Sequence, residues 1–134
     1  MSDTLKPGAT LTRRIEVDRE RTISFMGDEG RVYSTPRMLF DIEMTCRELL
    51  LAHVEPGRDS VGTHVELDHL APTLLGMWAE ITVTLTAVNG AAVAFDFTVR
   101  DPVEEVARGK HNRFVVAIEK SIQRLQAKRA KAGM

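Results

Sequence analysis

Glu43 is a charged residue at a position where the sequence is otherwise apolar. Its neighbours at i−4, i+3 and i+7 are Leu39, Cys46 and Leu50, which form the apolar stripe of a helical pattern. A carboxylate on an apolar surface is poorly hydrated, and such a carboxylate is typical of a catalytic base or nucleophile. The structural alternative is a glutamate at the edge of the stripe that reaches water or pairs with Arg47.

His69 is the second candidate, because it differs from the nearby His64 in the strand face that it shares. Alternation along a strand groups His69 with Val65 and Leu67, whereas His64 falls on a face with two acids. An inward imidazole can exchange protons, although a core histidine bonded to a backbone carbonyl is the more common role. Gly62 allows close approach of the backbone, so its N–H is a candidate donor to a carbonyl oxygen, unless the glycine only ends the preceding turn.

The sequence contains none of the common metal or phosphate motifs. There is no HExxH, no pair of CxxC motifs and no GxxxxGK[ST], and the histidines are scattered along the chain. We therefore expect no metal ion and no bound cofactor. Cys46, the single cysteine, has no basic neighbour that would mark a reactive thiolate, so we interpret it as a small core residue.

The periodicity of the apolar residues predicts the elements that carry these side chains. Residues 11–17 alternate as a half-buried strand does. A helix is predicted to start at residues 34–36, Ser-Thr-Pro, where a hydroxyl residue precedes a proline suited to the first helical turn. Apolar residues then recur at three- and four-residue steps over 37–53, and Glu-Pro-Gly at 55–57 ends the pattern.

Beyond residue 60 the period changes to two, which predicts four further strands. They span residues 61–70, 78–88, 91–100 and about 106–118. A short basic helix or tail follows over 119–131. The second and third of these strands both carry their apolar residues at odd positions, but a two-residue Asn89-Gly90 loop would send the two sets to opposite faces. We therefore expect an odd loop or a bulge, with Gly90 in the left-handed conformation.

The order of elements is one strand, one long helix and four strands, which predicts an α+β fold with a five-stranded antiparallel sheet. A helix of about 17 residues, roughly 25 Å long, can lie across one face of such a sheet. One sheet edge then remains uncovered, so we expect two copies to form a dimer. The chain of 134 residues fits one domain over 1–134, in which 1–10 and 125–134 are expected to be flexible.

The composition is that of an ordinary globular protein. Hydrophobic residues make up 43% of the chain and charged residues 28%, and no apolar run approaches the length of a membrane span. The net charge of −1 gives no electrostatic case for nucleic acid as a partner. The first residues lack the apolar segment of a secretory signal, and one cysteine cannot form a disulfide framework, so we expect a cytoplasmic protein.

Three segments, TPRMLFDIE, SVGTHVELDHLAPTLLG and GKHNRFVVAIEK, carry a resemblance to a known family. With them the chain resembles the fluoroacetyl-CoA thioesterase-like branch of the hotdog-fold proteins, from about residue 31 to the C-terminus. In that family a threonine lies eight positions before a helix glutamate, as Thr35 lies before Glu43. A glycine and a histidine seven positions apart match Gly62 and His69, and a His-x-Arg motif matches the one that ends at Arg113.

The resemblance implies a hotdog-fold acyl-CoA thioesterase, a hydrolase that acts as a homodimer, with a tetramer as the larger alternative. It implies that Thr35, Glu43 and His69 are catalytic and lie at a dimer interface. Gly62 and Arg113 are then the substrate-binding residues, with Arg113 on the side of the CoA phosphates, and CoA is part of the substrate. On one continuous helix Thr35 and Glu43 stand about 12 Å apart, so Thr35 must lie in the preceding loop or act from the other protomer.

Two other functions remain open at this point. Asp59 lies five residues before His64, a spacing similar to that of hotdog enoyl-CoA hydratases, whose chemistry requires both residues in the active cleft. A non-catalytic acyl-CoA-binding module would instead bind the same ligand without turnover. Lys110 and Lys120 are further candidates to contact the CoA phosphates.

Overall fold

The computed structural model describes residues 4–134, which form a five-stranded antiparallel sheet and two helices. The strands are β1 (Thr10–Glu16), β2 (Arg58–His69), β3 (Trp78–Asn89), β4 (Ala92–Arg100) and β5 (Glu105–Ala117). The helices are α1 (Thr35–Leu51), between β1 and β2, and α2 (Ile118–Lys131), after β5. The predicted order of elements and the predicted fold class are confirmed, and each observed boundary lies within a few residues of the predicted one.

The sequence around residue 35 explains where α1 begins. Ser34 is the N-cap, its hydroxyl accepts a hydrogen bond from the N–H of Arg37 at 3.3 Å, and Pro36 occupies the first turn. The helix then buries one face against the sheet. That face carries Met38, Ile42, Cys46, Leu49 and Leu50. The predicted apolar stripe is therefore the contact surface of the helix, except that Met38 is buried where the pattern predicted Leu39, which is only half-buried.

The apolar residues of β3 and β4 face the same side, because a bulge lies between the two strands. Leu85 pairs with Phe95, but Ala87 pairs with Ala94, so one residue of β3 is left without a counterpart. The connection itself is a two-residue loop in which Gly90 has a φ of 60°. Of the two predicted solutions, an odd loop or a bulge, the chain uses the bulge.

The sheet order is β1-β3-β4-β5-β2, which leaves β2 at one edge. A second bulge lies in β2, because the pairing with β5 shifts between Gly62 and His64. Strict alternation would place Gly62 and His69 on opposite faces, whereas the bulge brings both to the face that lies under α1. His64 remains on the outer face of the sheet, as alternation predicted, and its ring nitrogen Nε2 lies 3.0 Å from Oε1 of Glu66.

The segments before β1 and after β5 differ in how they pack. Leu5, before β1, is buried against the core, whereas α2, after β5, has no buried residue. Residues 1–3 lie outside the described part of the chain, and the flexibility expected for 1–10 and 125–134 stays a prediction. Within residues 4–134, no helix is both long enough and apolar enough to cross a membrane.

Candidate active site

Glu43 lies in a cluster formed by α1, β2 and β5. Its Oε1 atom is 3.6 Å from Nη1 of Arg113 and 3.7 Å from Nε2 of His111. Gly62 supplies the space for this carboxylate, because a Cβ at that position would collide with Oε1 of Glu43. The glutamate side chain is 32% exposed, so the carboxylate is accessible from a cavity of about 330 Å³ that opens beside Gly62. Glu43 is therefore a reachable carboxylate with positive charge behind it.

His111 is a neutral imidazole whose tautomer is fixed by its two partners. Its Nδ1 lies 2.8 Å from the carbonyl oxygen of His64, and its Nε2 lies 3.1 Å from Nη1 of Arg113. A carbonyl only accepts and a guanidinium only donates, so Nδ1 carries the proton and Nε2 carries the lone pair. Burial and the neighbouring charge of Arg113 lower the pKa of His111, in agreement with a neutral ring. The contact between His111 and Glu43 is consequently not an ion pair.

Arg113 is 3% exposed, and its guanidinium is bound within the protein. Nε donates to Oγ of Ser60 at 2.7 Å, and Nη2 donates to the carbonyl oxygen of Ser60 at 2.8 Å. The remaining nitrogen, Nη1, faces His111 and Glu43. This geometry differs from the position expected beside the CoA phosphates, because a buried guanidinium with inward-facing nitrogens offers no surface to a phosphate group in the single chain.

Thr35 and His69 form a second cluster at the start of α1. Oγ1 of Thr35 lies 2.7 Å from Nδ1 of His69, and Thr35 is exposed. Burial lowers the pKa of His69, which favours the neutral imidazole. Its other nitrogen, Nε2, is buried and has no hydrogen-bond partner among residues 4–134. A cavity of about 260 Å³ lies beside this ring, lined otherwise by Val32, Leu70, Ala71 and Pro72.

One chain therefore carries two separate parts of the predicted catalytic group. Thr35 is the first residue of α1, not a residue of the preceding loop. Glu43 follows two turns later on the same helix, about 12 Å along the axis. The first of the two predicted solutions, a threonine that folds back from a loop, is wrong. The second solution, in which Thr35 acts from the other protomer, stays a prediction.

The Asp59 and His64 pair does not form a site. The carboxylate of Asp59 accepts hydrogen bonds from Arg47, with Nη2 to Oδ2 at 2.7 Å, whereas His64 bonds to Glu66 on the outer face of the sheet. A hydratase would need the two side chains in one cleft. The bidentate ion pair with Arg47 gives Asp59 a structural role that ties β2 to α1.

Two residues of the Glu43 cluster carried too weak a signal in the sequence. His111 appears in the sequence as a histidine on a late strand, in the His-x-Arg motif, and nothing in the sequence distinguishes Ser60. Each lies on the same strand face as a recognised position, because His111 lies two residues before Arg113 and Ser60 lies two residues before Gly62. In the part of the chain that the structure describes, no group of three or more His, Cys, Asp or Glu side chains could hold a metal ion.

The chain is similar to known proteins over most of its length. The profile of the family described as fluoroacetyl-CoA-specific thioesterase matches residues 17–119. The fluoroacetyl-CoA thioesterase of Streptantibioticus cattleyicolor is 28% identical over 127 residues, which cover 90% of this chain and 91% of that protein. The residues matched by the family profile, 17–119, include every residue of both clusters.

Two solved structures share the fold along nearly the whole chain. The structure of the fluoroacetyl-CoA thioesterase FlK has a TM-score of 0.86 at 26% identity, and the match covers 94% of this chain and 98% of that one. The hot-dog-like protein from Thermanaerovibrio acidaminovorans has a TM-score of 0.84 at 27% identity, with 91% of each chain covered. The sheet and helices are those of a hotdog fold, and the chain belongs to the family of fluoroacetyl-CoA-specific thioesterases.

Proposed function

We propose that the protein hydrolyses an acyl-CoA thioester to the free acid and CoA, at an active site that two protomers share. The observation that carries this proposal is the position of Glu43, a reachable carboxylate with Arg113 and His111 behind it and the Gly62 backbone beside it. A carboxylate held in this way is suited to attack a thioester carbon or to activate water. Membership of the thioesterase family supports the same chemistry.

Each residue of the site has a proposed role in the reaction. Either Glu43 attacks the thioester carbonyl carbon and forms an anhydride that water then hydrolyses to the free acid, or Glu43 removes a proton from a water molecule that attacks the carbon directly. The carbonyl oxygen becomes negative in this step, and the N–H of Gly62 is the proposed donor to it. Arg113 balances the negative charge of Glu43 and fixes its position. CoA leaves as a thiolate, which is a tolerable leaving group, so the reaction needs no strong acid at sulfur.

Thr35 and His69 belong to the same proposed site, from the other protomer. The Thr35 hydroxyl orients the attacking water or the Glu43 carboxylate, and the imidazole of His69 transfers protons through Nε2. Nδ1 of His69 lies 2.7 Å from Oγ1 of Thr35, whereas Nε2 is buried and has no hydrogen-bond partner among residues 4–134. Proton transfer through Nε2 therefore requires that the substrate or the other protomer reach this atom. A neutral ring can both accept and donate a proton near neutral pH.

The bulge in β2 supports a particular pairing of the two protomers. The strand lies at a sheet edge and exposes Val61 and Val65, by 50% and 37%. Suppose that two copies of β2 pair antiparallel about a two-fold axis at Glu66. Val65 then opposes Leu67 of the other copy, and, because Thr63 is the bulged residue, Gly62 opposes His69. This register brings the Glu43 cluster of one protomer to the Thr35 and His69 cluster of the other. A tetramer would add further contacts between such dimers.

The acyl group of the substrate is proposed to be a short or medium chain other than fluoroacetyl. Residues 27–31, shortly before α1, are polar, and Asp28 among them is 77% exposed and forms ion pairs with Arg19 and Arg31. These five residues carry no apolar side chain for a lid over the acyl group, whereas Phe25 and Met26 beside them are 82% and 65% exposed. The cytoplasmic location and the CoA-phosphate contacts of Lys110 and Lys120 also stay predictions.

The test is release of free thiol from a panel of acyl-CoA substrates, repeated with three variants. Glu43→Gln keeps the shape of the side chain and removes its charge, so kcat should fall on the order of a hundredfold or more with the fold intact. His69→Ala should also impair turnover. His64→Ala is the matched control and should leave turnover unchanged, because His64 lies on the outer face of the sheet.

Three results would contradict the proposal in different ways. Near-normal turnover by Glu43→Gln would reduce the glutamate to a structural role. Formation of hydroxyacyl-CoA from an enoyl-CoA without thiol release would indicate a hydratase. Tight binding of acyl-CoA with no turnover by the natural protein would indicate a binding module.

A further inference from the structure

Ser60 binds one edge of the Arg113 guanidinium with two different atoms. The side-chain oxygen accepts from Nε at 2.7 Å, and the main-chain carbonyl accepts from Nη2 at 2.8 Å. Both residues are buried, Ser60 with 7% and Arg113 with 3% of its surface exposed. Two short hydrogen bonds from one residue to a planar, fork-shaped group fix its orientation as well as its position.

The orientation set by Ser60 decides where the third nitrogen of Arg113 points. With Nε and Nη2 held, Nη1 is directed to the other side, 3.1 Å from Nε2 of His111 and 3.6 Å from Oε1 of Glu43. No closer polar contact of the Glu43 carboxylate is present within residues 4–134. The guanidinium is therefore the nearest charged group to this carboxylate, at ion-pair distance but beyond hydrogen-bond distance.

Ser60 is itself anchored through the residue before it. The carboxylate of Asp59 accepts from the N–H of Ser60 at 2.7 Å and from Nε of Arg47 at 2.9 Å. Arg47 lies one helical turn after Glu43 on α1. The backbone that carries Ser60 is thus tied to the helix that carries Glu43, which keeps the two ends of the contact in register.

We propose that Ser60 is a positioning residue for thioester hydrolysis, acting through Arg113 on the carboxylate of Glu43. The inference rests on the proposed function of the Glu43 site and adds to it a residue that touches neither the substrate nor the reacting atoms. Loss of the hydroxyl leaves the Nε–H of a buried guanidinium without an acceptor. Of its two bonds to residue 60 the guanidinium then keeps only the one from Nη2 to the main-chain carbonyl, so its orientation is no longer fixed. Glu43 loses its fixed neighbour as a result.

The central variant is Ser60→Ala, assayed by thiol release with the best substrate of the panel. We expect kcat to fall about tenfold and KM to change less than about twofold, because the hydroxyl acts on the attacking group and not on substrate binding. Ser60→Thr keeps a hydroxyl and should recover most of the turnover. Ser60→Cys keeps the size with a weak acceptor and should behave like the alanine variant. Thr45→Ala, which removes a buried hydroxyl on α1 that does not contact Arg113, is the control and should retain kcat.

A second measurement separates the role of Ser60 from its contribution to folding. In the background Arg113→Met the Ser60→Ala change should have no further effect on kcat, because the hydroxyl then has nothing to orient. Equal losses in both backgrounds would overturn the inference. An unchanged kcat for Ser60→Ala in an otherwise active enzyme would also overturn it.

A spectroscopic readout does not depend on activity and keeps this inference distinct from the proposed function. The proton on Nε of Arg113, followed through its ¹⁵N–¹H resonance, should exchange slowly with water in the natural protein. In Ser60→Ala it should exchange at least tenfold faster. If no acyl-CoA is hydrolysed and this difference is still observed, the proposed function fails while the hold of Ser60 on Arg113 stands. Equal exchange in the two proteins would show that Ser60 does not fix the guanidinium.

Discussion

The side chain of Glu43 occupies the space that a Cβ at position 62 would fill. Glycine is needed at that point for close approach and not for backbone conformation, since its φ is not positive. The carboxylate can lie against the strand only because the residue there has no side chain. The sequence signal for Gly62, a glycine near the start of a strand, therefore has a direct structural cause at the site.

Gly62→Ala should lower kcat at least tenfold while the free energy of unfolding changes by less than about 1 kcal/mol. The added methyl would collide with the far end of the flexible Glu43 side chain, which can move aside, and it would lie 3.2 Å from Cε1 of His111, a close contact that a small shift relieves. In moving, the Glu43 carboxylate leaves the position for attack. Gly109→Ala is the comparison, because its Cβ would collide with the main-chain carbonyl of Glu66 and lie 2.7 Å from Cζ of Phe97. That variant should lose about 2 kcal/mol or more. Urea unfolding and thiol release together check both, and a stable, fully active Gly62→Ala protein would contradict the close contact.

The half-buried His69 and the buried His111 predict how stability depends on pH. Burial lowers the pKa of His69 and His111 below the ordinary value of 6.5, so the unfolded chain takes up protons at a higher pH than the folded protein does. Their contribution to stability is complete above pH 6.5 and is lost as the pH falls below it. The urea midpoint should be constant from about pH 7 to 8 and fall between about pH 6.5 and 5. His69→Gln should flatten this fall, the exposed His64→Ala should leave it unchanged, and a flat profile for the natural protein would contradict the assignment.

The positions and buried faces of the helices and strands depend on local periodicity, and the sequence predicted them. Three patterns predicted the elements and their buried faces. They are the helical stripe that contains Ile42, the alternation along the strands, and the apolar residues at odd positions of β3 and β4. The need for a bulge or an odd loop near Gly90 also followed from them. The choice of the bulge did not, because the extra residue, Thr86, resembles its neighbours in sequence and the choice depends on packing across strands.

The candidate site was predictable in part for the same reason. Glu43 and His69 were identified from their positions on apolar faces. The face of Gly62 was not predictable, because the bulge at Thr63 changes the count along β2, and the chemistry of Arg113 depends on contacts with Ser60, distant in sequence. A sequence shows which face a residue shares with its neighbours along one element. It does not show which residues of three elements meet in a buried cluster.

The start of α1 is fixed by a buried ionic network. Asp41 is 4% exposed, accepts from Nε of Arg21 at 2.8 Å, and also accepts a hydrogen bond from the hydroxyl of Tyr33. Burial and the negative charge of Asp41 raise the pKa of Tyr33. The network holds the segment before the helix against α1, next to Thr35, the first residue of the helix.

Asp41→Ala should therefore destabilise the protein by about 2–3 kcal/mol, because it leaves a partly buried guanidinium and a buried phenol without their acceptor. Glu80→Ala, which breaks the exposed ion pair with Arg14, is the matched control and should cost about 0–1 kcal/mol. Urea unfolding at pH 7.5 gives both values. Equal losses for the two variants would mean that the Asp41 network contributes no more than a surface pair.

For the whole molecule, the proposed axis at Glu66 can be tested by a disulfide. Residues at a two-fold axis between antiparallel strands oppose their own copies, with Cα atoms about 4.5–5.5 Å apart, a distance that a disulfide spans. Glu66→Cys should oxidise to a covalent dimer on a non-reducing gel, whereas Asp68→Cys, which opposes His64, should not. Cys46 does not compete, because it is buried and burial raises its thiol pKa to about 12. Cross-linking through Asp68→Cys and not through Glu66→Cys would show that the two-fold axis does not lie at Glu66.

Subunit mixing tests whether the two clusters act together across protomers. Glu43→Gln and His69→Ala should each be nearly inactive as homodimers, because every site lacks one essential group. In a mixed dimer, one site combines two damaged halves and the other combines two intact halves. Co-refolding equal amounts of the two variants from urea should therefore restore about a quarter of the natural activity if the subunits pair at random.

The control for this mixing experiment is the pair Thr35→Ala and His69→Ala, which damages the same half of the site. No mixed dimer of these two variants contains an intact site, so activity should not recover. If Glu43 and His69 of the same chain formed one site, the first mixture would also stay inactive, since each chain would carry its own defect. Recovery in the first mixture and none in the second is the result that only a shared site gives, because it requires Glu43 from one protomer and His69 from the other.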